Sequence, residues 1–287
     1  MKTIAPPDPN TRTPEYKAPP GACDSHCHVF GPGDVFPYSE TRKYTPPDAA
    51  KEKLRELHDK LGIQRAVIVH ASCHGTDNRV TLDAIASSNG RYLGVCNADT
   101  SFTEEQFEEL NAGGIRGVRF NFVKHLGGPP DLDKMRDIVN KVAHLPWHVE
   151  LHFDAKDLLE YEKVLDDMPL PVVLDHMGRT PVADGLDQAP FRALLKKLSD
   201  SDKLWVKVSG CERISAAGPP FVDAVPFARA CIAAAPDRVI WGTDWPHPNV
   251  KIMPNDGDLV DLIPQMAPEP EMQQKLLVDN PARLFGF

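Results

Sequence analysis

Apolar residues recur along the chain in two alternating rhythms. Short runs rich in β-branched and aromatic residues appear at 22–30, 65–72, 91–98, 115–122, 147–154, 171–178, 204–210 and 238–246. Their length and period-two character predict eight strands. Between them lie stretches with helical spacing, among them DAAKEKLRELHDKLG, RVTLDAIASS, TEEQFEELNAGG, DLDKMRDIVNKVAH, KDLLEYEKVLDDM, PFRALLKKLSD and VPFARACIAAA. Several begin at Asp, Ser or Thr and stop near Gly or Pro, as helix caps require. A helical tail over 257–287 closes the series. Strands alternating with helices predict a parallel sheet, and eight of each predict closure into a (β/α)8 barrel. An open doubly wound sheet is disfavoured because no G-x-G-x-x-G follows any strand. The expected layout is a proline-rich N-terminal arm over 1–20 and a single barrel domain over 21–287.

Charge narrows the partners. Thirty-two basic residues against 41 acidic ones leave a net charge of −9, which disfavours nucleic acid and anionic membranes. No run approaches the roughly 18 apolar residues of a membrane span, and the N-terminus lacks the apolar core of a secretory signal. The cytoplasm is the expected location, with a monomer or small homo-oligomer as the expected state. The six cysteines form no C-x-x-C pair and read as buried thiols.

Chemistry-bearing residues collect at the C-terminal strand ends, where a barrel builds its active site. In DSHCHVF alternate side chains share a face, so His26 and His28 project together while Cys27 points away. Two imidazoles so placed can hold a divalent ion or polarise a carbonyl. In WHVELHFDA the polar His148, Glu150, His152 and Asp154 alternate with apolar residues, giving a polar inner face. His176 lies on the sixth strand and Asp244 ends the eighth, where a carboxylate suits a general base or metal ligand. His26, His28, His152, His176 and Asp244 make a nitrogen- and oxygen-rich set for zinc or manganese, and a metal-free route is also open. Arg119, Arg179 and Arg213 lie at or just beyond strand ends. Guanidinium groups grip carboxylates and sulfonates in a planar fork, so these point to an anionic small molecule.

H-x-H on the first strand, histidines on the fifth and sixth, and Asp on the eighth resemble the amidohydrolase superfamily. DSHCHVFGP, ASCHGTDN, GVRFNF, DHMGR and VIWGTDWPHPN are similar to its lactonases, from about Pro19 to the C-terminus. The resemblance implies hydrolysis of a small anionic lactone in microbial degradation of aromatic compounds. Asp244 would deprotonate water, while His26, His28 and His176 polarise the carbonyl with or without a metal. Tyr44, Ser72, Thr76, Arg119, Arg179, Arg213, His247 and Asn249 match the substrate-contacting positions of these lactonases. Two positions depart from the pattern: His125 stands where an arginine is usual, and His152 where a tyrosine is usual. The leading expectation is 4-sulfomuconolactone, giving maleylacetate and sulfite. 2-Pyrone-4,6-dicarboxylate is the alternative, with metal-dependent decarboxylation of an aromatic acid ranked below both.

Overall fold

Eight strands occur at the eight expected places: β1 (Cys23–Cys27), β2 (Arg65–Val69), β3 (Tyr92–Cys96), β4 (Ile115–Asn121), β5 (His148–His152), β6 (Val172–Leu174), β7 (Leu204–Lys207) and β8 (Val239–Ile240). The structure is a computed structural model that describes residues 2–287. All ladder pairs are parallel and run in chain order from β1 to β8. The sheet closes just beyond the β8 ladder. Ser25 N donates to Trp241 O at 2.8 Å, Asp244 N to His26 O at 2.7 Å and His28 N to Trp245 O at 2.7 Å. Gly242 makes this seam possible, because a Cβ there would stand 2.5 Å from His26 N.

Helices follow the predicted segments closely, including α1 (Lys51–Leu61), α2 (Arg79–Ala86), α3 (Glu104–Ala112) and α4 (Leu132–Val142). The expected helix over KDLLEYEKVLDDM is the exception. It breaks into a short turn at Ala155–Asp157 and α5 (Glu162–Asp166). Tyr161, packed edge-on against Phe122 and Phe153, takes φ −107° and ψ 12° and interrupts the helical path. Further along lie α6 (Ala189–Asp200), α7 (Cys211–Ile214), α8 (Val225–Ala234) and a helical C-terminal tail.

Strand parity divides the molecule into two apolar regions. Val149 and Leu151 of β5, Leu174 of β6 and Val206 of β7 face outward and join the helices in the main core. Val67, Val69, Val95, Val173, Trp205 and Ile240 face inward and fill the lower barrel with Phe285 of the C-terminal tail. Cys23 belongs to this inner group while Cys27 belongs to the outer one. A register shift between Asp24 and Cys27 changes the parity of β1. Such an irregularity re-aims side chains; here it turns both His26 and His28 into the barrel.

The N-terminal segment lies against the barrel. Lys2–Thr3 pairs in parallel with Tyr44–Thr45, and Arg12 forms ion pairs with Asp258 and Asp261. No helix among the described residues is long and apolar enough to cross a membrane. All six cysteines are buried and free.

Candidate active site

Four of the predicted catalytic residues meet above the apolar plug. Asp244 Oδ1 lies 3.2 Å from His28 Nε2 and 3.6 Å from His26 Nε2, and Asp244 Oδ2 lies 3.8 Å from His176 Nε2. All four residues are buried. Their backbones are shaped for this convergence, since His176 and Asp244 adopt φ values of 52° and 67°. These left-handed conformations end the extended runs earlier than the sequence pattern predicts. They are costly for non-glycine residues and recur at functional sites. Gly210 fits beside His176 because it lacks a Cβ, which would stand 2.9 Å from the imidazole.

Asp244 is gripped on one side only. Arg213 donates from Nε and Nη2 to Oδ2, while Oδ1 is buried without a hydrogen-bond partner. Burial disfavours the charged carboxylate, yet the Arg213 guanidinium beside it holds it well below the usual carboxylate range. Asp175 behaves in the same way: burial opposes its charge, and the cationic Arg119 and Lys207 prevail. Burial pushes His28, His152 and His176 down, which favours neutral imidazoles at neutral pH.

The arginines each have a defined anchor. Arg119 donates to Asp175 Oδ2 at 3.0 and 2.8 Å and lies 3.2 Å from Glu150 Oε1. Arg179 donates to Asp154 at 2.8 Å and to His152 Nε2 at 3.2 Å. That contact leaves His152 outside the His26–His176–Asp244 group, although its ring centroid is 5.7 Å from that of His176. His125 is exposed, with its ring 6.3 Å from that of His152. Tyr44 packs on Phe30, which in turn stacks on His28; Ser72 lies on the turn after β2 and Thr76 is exposed beyond it. His247 is buried behind Asp244, bonded to Asp256 at 3.0 Å and 3.6 Å from Glu212. Asn249 follows it in a left-handed conformation.

The donor set suits a divalent ion. His26, His176 and Asp244 place ligand atoms within 4.8 Å of one another, and His26 Nε2 and Asp244 Oδ1 are both unpartnered. Two nitrogens and a carboxylate oxygen are zinc-type ligands, provided each nitrogen presents a lone pair.

The main omission of the sequence reading is Lys207. It is fully buried, bonded to Glu150 and 2.9 Å from His26 Nδ1. A signal was present: in LWVKVSG, Lys207 shares the inward parity of Trp205 and Ser209. Glu150 was visible as an inward polar residue, but its role around this lysine was not.

The sequence profile of the amidohydrolases matches residues 23–287. The chain is 48% identical to a 2-pyrone-4,6-dicarboxylate hydrolase of Comamonas testosteroni, over 96% of this chain and 93% of that one. It is 45% identical to a 4-sulfomuconolactone hydrolase of Hydrogenophaga intermedia, over 94% and 90%. A solved structure of a probable 2-pyrone-4,6-dicarboxylic acid hydrolase from Acinetobacter baumannii, with citric acid bound, superposes with a TM-score of 0.82 at 28% identity. That match covers 93% of this chain and all of the other. With its strand-end histidines gathered around the aspartate of the last strand, the chain belongs to the amidohydrolase family.

Proposed function

We propose that the protein hydrolyses the ester bond of a small anionic lactone. The observation that carries this reading is the Oδ1 of Asp244, without a hydrogen-bond partner and facing the Nε2 atoms of His26 and His28 in a buried cluster, with Arg213 on Asp244 and Arg119 on Asp175. Relatives at 48% and 45% identity that are lactone hydrolases support it.

Asp244 Oδ1 takes a proton from water as the water oxygen bonds to the lactone carbonyl carbon. His26, His28 and His176 surround the place where negative charge develops on the carbonyl oxygen, and a donor there stabilises the oxyanion. The ring C–O bond then breaks, its electron pair passes to the ring oxygen, and Asp244 returns the proton to that oxygen. Were the Nε2 lone pair of His26 available, a divalent ion such as zinc or manganese would be held by His26, His176 and Asp244 and would polarise the carbonyl as a Lewis acid; with the hydrogen on that nitrogen, His26 polarises the carbonyl directly and no ion is held there. Arg119, Arg179 and Arg213 would bind the anionic groups of the substrate through planar hydrogen-bond pairs.

Between the two lactones, 4-sulfomuconolactone is preferred. His125 and His152 replace an arginine and a tyrosine of the dicarboxylate pattern, weakening one carboxylate clamp. For this substrate, ester opening leaves an oxygen and a sulfonate on one carbon. Collapse to the ketone expels sulfite and leaves maleylacetate. Side-by-side kinetics on the two lactones test the reading. The expected result is a higher kcat/KM for the sulfonated lactone, with sulfite released in step with ring opening. Preference for the pyrone dicarboxylate would reverse the substrate assignment, and turnover of neither would overturn the proposed function.

A further inference from the structure

The face of His26 turned away from Asp244 determines which ring nitrogen carries hydrogen. Nδ1 lies 2.9 Å from Lys207 Nζ, 3.2 Å from Asp175 Oδ1 and 3.7 Å from Glu150 Oε1. Lys207 also bonds Glu150 Oε2 and sits 3.4 Å from Asp175 Oδ1. An ammonium group has three donors and no acceptor. The Lys207 hydrogen bonds go to Glu150 Oε2 and His26 Nδ1, while Asp175 Oδ1 is an ion-pair neighbour with no hydrogen bond of its own. Facing a donor, Nδ1 accepts, and the imidazole hydrogen resides on Nε2.

His28 is arranged in the opposite sense. Its Nδ1 lies 2.7 Å from the carbonyl oxygen of Val69, which can only accept. His28 therefore donates from Nδ1 and presents a lone pair at Nε2. The H-x-H pair thus directs one donor and one acceptor toward the same carboxylate oxygen, Asp244 Oδ1. Without Lys207, Asp175 would accept from His26 Nδ1 and leave a lone pair on Nε2. A histidine that ligates a metal commonly has such a carboxylate behind it.

We propose that Lys207 is a positioning residue that holds His26 in the Nε2–H form, aiming a hydrogen-bond donor at the oxygen that becomes negative during ester attack. The catalytic half of this proposal rests on the lactonase reading; the tautomer itself does not. It identifies a function for a buried lysine that touches neither the substrate arginines nor Asp244.

The test uses full-length protein with ring-15N-labelled histidine and long-range proton–nitrogen NMR spectra. The His26 signal is assigned by its loss in His26→Gln. In the wild type, Nε2 is expected to carry the hydrogen and Nδ1 to be bare. The variant is Lys207→Met combined with Glu150→Gln, which removes one cation and one anion together and so avoids stranding a buried charge. In it, His26 is expected to move to the Nδ1–H form. With the lactone that the wild type turns over, kcat should fall by on the order of 10²-fold, as for loss of one oxyanion donor, with KM unchanged. A wild-type His26 bearing its hydrogen on Nδ1 would overturn the proposal, even if the double variant does not fold. So would a double variant that keeps the Nε2–H form, and an unchanged kcat would remove the catalytic half. The spectra need no substrate, so failure of both lactones would leave the tautomer assignment standing or falling by itself.

Discussion

At the level of single residues, Asp244 depends on an asymmetry: Arg213 occupies Oδ2 and leaves Oδ1 to the imidazoles. Asp244→Asn keeps the shape but removes the proposed proton acceptor. Its kcat should fall by about 10²- to 10⁴-fold in a steady-state assay, with the circular dichroism spectrum unchanged. Because the carboxyl is held well below its usual range, the Asp244 carboxylate stays ionised through mildly acidic pH. His247 carries a different pH signature. Burial works against its charge, but Asp256 and Glu212 raise it to about 10. A group raised in the folded state contributes stability that is whole below its unfolded value of roughly 6.5. That contribution is lost as pH rises through 10. Denaturant melts should therefore show falling stability between about pH 7 and 10 in the wild type, and a flatter slope in His247→Gln.

Among the elements, the β1–β8 seam is the most exacting join. Gly242 leaves room for His26 N, and Asp24 ties the seam by accepting from Thr243 N at 3.0 Å and from His26 N at 3.0 Å. Gly242→Ala places a Cβ against backbone that cannot retreat, and should cost about 1–3 kcal/mol of stability, read by chemical denaturation. It should also lower kcat, because His26 and Asp244 hang from the two sides of that join. The strands and most helices were legible because the apolar rhythm states which face of each element is buried. The inward parity of β5 gave His148, Glu150 and His152 correctly. Left-handed turns at His176 and Asp244 were not legible, since their stability comes from the packed pocket and not from local propensity. His152 was readable as inward-facing, but its capture by Arg179 depends on a contact 27 residues along the chain. Lys207 illustrates the same limit: parity places it inside, while only the folded barrel brings Glu150 and His26 to it.

Across the whole molecule, buried charge is balanced within the barrel, and the N-terminal segment bears on the mouth from outside. Glu150, Asp175 and Asp244 face Lys207, Arg119 and Arg213, so the histidines need not be charged to satisfy the site. Buried pairs of this kind contribute little net stability but strongly penalise loss of one partner. The N-terminal segment is fixed by other means. Lys2–Thr3 pairs with Tyr44–Thr45, Ile4 N donates to Thr45 O at 3.2 Å, and Tyr16 N donates to Asp261 Oδ1 at 2.8 Å. Pro6, Pro7 and Pro9 line a hollow shared with Leu57 of α1 and with Trp245, the neighbour of Asp244. These contacts cover the barrel without entering its inner layers, so deleting residues 2–16 should leave a folded protein. The melting temperature should drop by about 2–4 °C for each kcal/mol of lost contact. Tyr44 would lose its strand partner on the substrate side, whereas the His26–Asp244 geometry would keep its own supports. The expected kinetic result is a raised KM for the lactone with kcat preserved. A fall in kcat at unchanged KM would instead mean that the segment supports Asp244 through Trp245.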